Sequence, residues 1–403
     1  MNFKFGIEHE VAFLRPDGEF ADFANTSFAE FDAIIAQLPR YEQDYPQLRI
    51  GDAGIKLKRW YIEGFERFDQ TGKVIDCPPK GIEIRTTVQS SIEEAVAQLK
   101  GSFEQLRSQA IKAGFLPVLT SFHPYRSEFV FDPPLNAFEQ RRRQASPEMQ
   151  TAHIPMLTQG PDLNLSAEGL TVTQLIDIGR KLTYYSPFII PFSYSSPFYQ
   201  GKAWQGLSIR TFYRTGPRPA AMVFVEHEAD LLDSVPSLTQ MARLPAEVGR
   251  IEFKAFDSCG DFELYGSLLA LLEGLVLDQT LTGRATIPDA KLHQQSARLG
   301  FADEEIYAGA CEVLDSVIKV LPSEGDSPKE RLCHRARLER LSTMLRGQYS
   351  PAQTMLKAYE QGQSIAQILQ QGYCLSSAQR TGMERNVLTI TNQPWLDESN
   401  AIT

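Results

Sequence analysis

Several short segments of this chain alternate between large apolar side chains and a run of Glu, Asp, Asn and Arg. Phe3 to Val11 reads F-K-F-G-I-E-H-E-V. Side chains on a strand alternate faces, so Glu8 and Glu10 point the same way, with Cα atoms roughly 6.5 to 7 Å apart. Phe3, Phe5, Ile7 and Val11 take the other face, and His9 is expected to pack among them. The pattern recurs. In Gly81–Thr87, Glu83 and Arg85 oppose Ile82 and Ile84. In Asp162–Ser166, Asp162 and Asn164 oppose Leu163 and Leu165. In Arg250–Phe256, Arg250, Glu252 and Lys254 oppose Ile251, Phe253 and Ala255. Leu207–Phe212 reads as a further strand, with Arg210 opposite Ile209. An ordinary half-exposed sheet wets its outer face with Lys, Thr, Ser and Gln. The simplest account here is an α+β fold: a curved antiparallel sheet lines an active-site cup with its polar face, and helices cover its outer face.

The covering helices follow from apolar spacing. Ser91-I-E-Glu94 reads as a capping box opening a helix that ends at Gly114. Thr173–Tyr185 repeats the pattern, and Asp261–Leu281 is apolar nearly all round, as a buried helix is. Beyond residue 285 the pattern is helical at Glu304–Leu321, Pro328–Leu345, Pro351–Gln361 and Ser364–Gln371. The expected organisation is a catalytic sheet domain over 1–285, a helical C-terminal region over 286–375 packed on it, and a loose tail over 376–403. Two irregular stretches, Pro39–Lys58 and Pro124–Pro161, exceed the usual connection length. The second carries Arg141, Arg142 and Arg143 and is a candidate lid; a plain solvated loop is the alternative.

A net charge of -10 argues against nucleic acid or an anionic membrane as the main partner. Five scattered cysteines without a C-x-x-C pair argue for reduced thiols and a cytoplasmic setting. Cys259 reads as a buried, inert thiol. No apolar run is long enough to span a bilayer. Oligomeric state is not readable, and a homodimer is one option.

Two carboxylates side by side on a rigid strand repel each other unless a cation lies between them. Oxygen ligands without Cys or paired His select Mg2+ or Mn2+. Glu8, Glu10, Glu83, Asp162, Asn164 and Glu252 are the candidate ligands. Arg85, Arg210, Arg214 and Lys254 are candidates for holding phosphate or carboxylate oxygens. Acidic ligands with arginines suit phosphoryl transfer from ATP, here without a P-loop or a Rossmann turn. Each element also has a plainer reading: a surface E-x-E, or cross-strand salt bridges such as Glu83 with Arg85. The residues alone reach a metal-dependent enzyme on a curved sheet.

Four segments in order resemble the second family of glutamate–cysteine ligases and its bacterial carboxylate–amine ligase branch, which have the glutamine-synthetase-like catalytic fold. They are G-I-E-H-E; G-I-E-I-R-T-T followed by a helix and S-F-H-P-Y; S-S-P-F-Y-Q-G with S-I-R-T-F; and R-I-E-F-K-A-F-D. The resemblance spans residue 3 to about 285. It implies that ATP phosphorylates a carboxylate, that of glutamate in the type enzyme. An amine, that of cysteine in the type enzyme, then displaces phosphate to form an amide. It implies metal ligation by Glu8, Glu10 and Glu252, with Glu83 on metal or on the amine side. Arg210 would hold the transferring phosphate or the acid, and Glu83, Arg210 and Lys254 would act in catalysis. His123 and Asp257 match motif positions without an assigned role. The chain departs from the branch where D-L-N-L-S replaces H-V-H-V-G, putting Asp162 and Asn164 in place of two histidines. It departs again at Lys254, where an arginine is usual. These changes leave the acid and amine open. The alternatives are a divalent-metal amide hydrolase and a non-catalytic nucleotide- or metabolite-binding relative.

Overall fold

A computed structural model describes residues 2–44, 59–322 and 327–373. The expected tail, Cys374 and most of Pro39–Lys58 lie outside these residues.

The alternating segments assemble into an 8-stranded sheet. Its spatial order is Thr239–Met241, Ala221–Val225, Ile251–Phe253, Pro161–Ala167, Phe3–Leu14, Pro79–Arg85 and Trp60–Gly64, with Leu116–Val118 pairing to the far end of Phe3–Leu14. The sheet curls into a half-barrel. Every pairing is antiparallel except Ala221–Val225 with Thr239–Met241, which is parallel. The first strand is central because both its edges are paired. Glu8 faces Arg85 on one side and Asp162 on the other, and Glu10 faces Glu83. Asn164 in turn faces Glu252.

The opposite face of the sheet is apolar and dry. Phe5, Ile7, Val11, Ile82, Ile84, Leu163, Leu165, Ile251 and Phe253 are all buried there. Helices Ile92–Lys112, Val172–Ile189 and Phe262–Leu277 cover it. The last is buried along nearly its whole length, because Glu304–Val320 and Pro328–Arg346 pack on its outer side. A single apolar cluster runs from Ile7 in the sheet through Leu272 to Leu341. His9 belongs to it. Its two ring nitrogens meet the hydroxyls of Tyr265 (2.8 Å) and Tyr373 (2.9 Å), and burial pushes its pKa down to about 3. It is a neutral packing residue. Cys259 is likewise buried, and burial drives its thiol pKa well up.

Three local expectations are corrected. Leu207–Phe212 is not a strand: Ile209–Arg214 is helical, and Ser208 caps it by accepting the Thr211 N–H. A helix here carries Arg210 and Arg214 on one face, four residues apart. The Ser91 capping box is incomplete. Ser91 does accept from the Glu94 N–H, but the Glu94 carboxylate bonds Ser90. Pro124–Pro161 is not irregular throughout. It holds helices Ala137–Gln144 and Pro147–Gln150, and Glu139 anchors the first by a bidentate, buried pair with Arg67. Burial would raise the Glu139 pKa; bonds from Arg67 and from two backbone N–H groups bring it down to about 2.

Candidate active site

The polar face of the sheet opens into a cavity of about 940 Å³. Every residue singled out above as a metal ligand or a phosphate holder lines it: Glu8, Glu10, Glu83, Arg85, Asp162, Asn164, Arg210, Arg214, Glu252 and Lys254. The strand registers explain the convergence. Alternation puts each acid on the same face, and pairing brings neighbouring acids level with one another.

Side chains the sequence did not single out complete the lining. Tyr61 and Glu63 sit on the Trp60–Gly64 strand, opposite Glu83 and Gly81. Among the described residues, Glu10, Glu63 and Glu83 form a metal-competent group, with one oxygen of each within 4.8 Å of the others. Lys80 reaches the same face because of a bulge: Glu63 pairs with Gly81, and Gly64 with Pro79. The extra residue reverses the alternation. Lys80 Nζ then donates to Glu10 Oε1 (2.7 Å) and to the Thr158 carbonyl (2.7 Å).

The electrostatics divide the cavity. At the Glu83 end carboxylates outnumber cations. Glu83 is 5% exposed, and among the described residues its Oε1 has no hydrogen-bond partner. Burial, then the charges of Glu63, Glu8 and Glu10, drive its pKa well above the usual carboxylate range. Burial also raises Glu10, against the opposing pull of Lys80. An orphaned buried carboxylate oxygen beside two further carboxylates, with hard oxygen donors throughout, fits Mg2+ or Mn2+.

At the Glu252 end, fixed cations hold the acids. Lys254 Nζ bonds both Asp162 and Glu252. Arg250 reaches Glu8 (3.3 Å), Glu252 (3.1 Å) and Glu247 (3.7 Å), and its guanidinium stacks on Phe224. Burial lifts the Glu252 pKa to about 7 against the pull of Lys254. Burial would also raise Asp162, but Lys254 brings it down to about 2.

Arg210, Arg214 and Arg218 form the third part of the lining. Arg210 donates to the carbonyls of Ala255 (3.2 Å) and Lys254 (2.9 Å) and lies 4.0 Å from Asp257. Burial, then the charges of Arg210 and Arg218, depress the Arg214 pKa. Like charges buried together call for an anion, and phosphate is a natural one. Asp257 and His123 sit outside the lining. Asp257 is gripped by the Ser195 N–H and the Ser196 and Ser208 hydroxyls, so it anchors the segment that carries Arg210. His123 Nδ1 accepts from the N–H groups of Tyr125 and Arg126, which leaves Nε2 to donate to Asp22. It is a turn histidine.

The raised carboxyl pKa values set a pH dependence. A raised folded-state pKa contributes stability below the ordinary carboxylate value, and that contribution is lost as pH rises through the folded value. Relative to a Glu252→Gln variant, which keeps the opposing titration of the depressed His9 and His293, the metal-free protein is therefore expected to lose melting temperature between about pH 4.5 and 7, the window of Glu252. Magnesium should restore it more at pH 8 than at pH 5, since ligation needs ionised carboxylates. At a hundredfold excess over Kd the gain is about 2.7 kcal/mol. Scanning calorimetry with EDTA or magnesium reads both; a magnesium shift equal at both pH values would count against carboxylate ligation.

No family model matches the chain. No curated protein matches it either. Solved structures do. Over 96% of this chain and 53% of the other, it aligns with a bifunctional glutathione synthetase from Pasteurella multocida, at TM-score 0.56 and 13% identity. The chain spans about half the length of that protein. It also aligns with the complex of the prokaryotic ubiquitin-like protein Pup and its ligase PafA, at TM-score 0.43 and 10% identity over 97% and 69% of the two chains. A GmaS–ADP complex aligns at TM-score 0.38 and 12% identity over 95% and 73%. Over the aligned residues the chain shares the fold of that glutathione synthetase, a curled sheet with helices on its outer face, as the alternating segments led one to expect.

Proposed function

We propose that the chain is an ATP- and divalent-metal-dependent ligase that joins a carboxylate to an amine. One observation carries the reading: the carboxylates of Glu10, Glu63 and Glu83 converge within 4.8 Å in a cavity that Arg210, Arg214 and Arg218 also line. Acid ligands and arginines facing one space are what phosphoryl transfer requires, because charge develops on the phosphoryl oxygens.

Glu10, Glu63 and Glu83 would hold magnesium, with Glu8 beside them. Once bound, the metal neutralises phosphate charge. The chain's own residues supply the rest. Arg210, Arg214 and Arg218 position anionic oxygens, and Lys254 and Arg250 hold the wall acids in place. The substrate carboxylate oxygen bonds to the γ-phosphorus as the bond to ADP breaks. The amine then bonds to the carbonyl carbon as phosphate leaves. The curved sheet brings both substrates into one cavity.

The finer reading is γ-glutamyl amide formation, with glutamate as the acid and cysteine as the leading amine. The ordered motifs support it, and the neighbour of TM-score 0.56 is named a glutathione synthetase. The test is a phosphate-release assay with glutamate, a panel of amines, ATP and magnesium. The expected result is release that needs acid, amine and metal together. Amide cleavage without ATP would favour a hydrolase, and no amine-dependent release across a broad panel would remove the ligase reading.

A further inference from the structure

We propose that Lys254 and Arg250 are built-in cations that take the place of a second divalent ion, so that the cavity holds one metal rather than two. The inference rests on the reading above, in which Glu10, Glu63 and Glu83 hold that metal.

Two observations mark the Glu252 end as a cation site: one shows fixed cations among its carboxylates, and the other a further ligand oxygen that they leave unmet. The first is the pattern of ion pairs. Lys254 Nζ lies against Asp162 and Glu252 together, and Arg250 spans Glu8 and Glu252. Three carboxylates from three adjacent strands thus share two fixed positive groups. At the other end one oxygen of Glu63 and one of Glu83 lie within 4.8 Å of each other, and of that group the Lys80 ammonium reaches Glu10. The second is Asn164. It is 7% exposed, and among the described residues its Oδ1 has no hydrogen-bond partner. It sits level with Glu252 in the sheet, and its Nδ2 donates to Glu8 (3.4 Å). An orphaned amide oxygen beside Asp162, Glu252 and Glu8 completes a hard, oxygen-rich set.

A covalently tethered cation differs from a bound ion in two ways. It cannot be removed by a chelator, and it organises the carboxylates before substrate arrives. Lys254 and Arg250 are therefore positioning residues, acting through Glu8, Asp162 and Glu252. Removing the ammonium should leave those oxygens open to a second ion.

The test counts metal directly. The 403-residue chain without nucleotide is titrated with Mn2+ at pH 8, and free Mn2+ is read by electron paramagnetic resonance. Circular dichroism confirms folding of each variant. The expected counts are one ion for the wild type, none of comparable affinity for Glu83→Gln, two for Lys254→Met and one for Lys254→Arg. A second ion in the wild type, or a single ion in folded Lys254→Met, overturns the inference and leaves the metal reading standing. No tight ion in the wild type overturns the metal reading, and this inference with it. If Lys254→Met does not fold, Arg250→Gln takes its place: a second ion is expected, and a single ion overturns the proposal.

Discussion

Glu83→Gln is expected to cut turnover about a hundredfold or more and, in the metal-free protein, to raise the melting temperature. The two effects share one cause. Glu83 is buried, one of its oxygens lacks a partner among the described residues, and Glu63, Glu8 and Glu10 crowd it with like charge. Without metal that arrangement costs stability, because burial and repulsion both penalise the ionised carboxylate. Glutamine keeps the shape and removes the charge, and its amide can donate to Glu8. A gain of about 0.5–2 kcal/mol is the usual scale for relieving such a site. The same change removes a ligand oxygen from the metal. Metal neutralisation of phosphoryl charge supplies several kcal/mol, so turnover should fall about a hundredfold or more. Calorimetry in EDTA at pH 8 and the phosphate-release assay read the two halves separately. Retained activity would show that Glu83 holds no metal. A lowered melting temperature would show that the carboxylate is already well compensated in the folded chain.

The acids of the cavity were legible because period-two alternation is a local property. Glu8, Glu10, Glu83, Asp162, Asn164 and Glu252 each lie on a strand whose apolar partners announce its inner face. Glu63 was not legible. Its strand, W-Y-I-E-G, is short and follows an irregular run, and its significance comes from pairing with the Glu83 strand. Lys80 was hidden for a sharper reason. Alternation places it with Ile82 and Ile84 on the apolar face, and the bulge at Glu63/Gly64 turns it to the other. Arg210 reached the cavity by a different route from the one its sequence suggested. Ser208 caps a short helix there, and the arginines at 210 and 214 sit one turn apart, about 6 Å along the axis, whereas four strand residues would separate them by about 13 Å. Asp257 and His123 show the converse. Both fall within the motifs that carry the family resemblance, and both serve as structural anchors outside the cavity.

That separation between lining and anchor gives Gly160 its importance. Gly160→Ala is expected to disable the site although position 160 carries no functional group. The Gly160 N–H donates to Glu10 Oε2 (2.9 Å), so this backbone helps aim a proposed metal ligand. On its other side lies Arg210. A Cβ at position 160 would stand 2.6 Å from Arg210 Cζ and 2.8 Å from Nε, far inside contact distance. The guanidinium cannot easily yield, because the Ala255 and Lys254 carbonyls and Asp257 hold its far side. Overpacking of this kind costs about 1–3 kcal/mol. A shift of even about 1 Å in a phosphate-holding group can cost about a hundredfold in rate. Stability separates the overlap from any other effect of the methyl group. In an Arg210→Ala background the guanidinium is gone, so Gly160→Ala should cost little further stability, a strongly non-additive pair. Additive costs in the two backgrounds would mean that Gly160 acts through its own backbone and that the close approach to Arg210 is incidental.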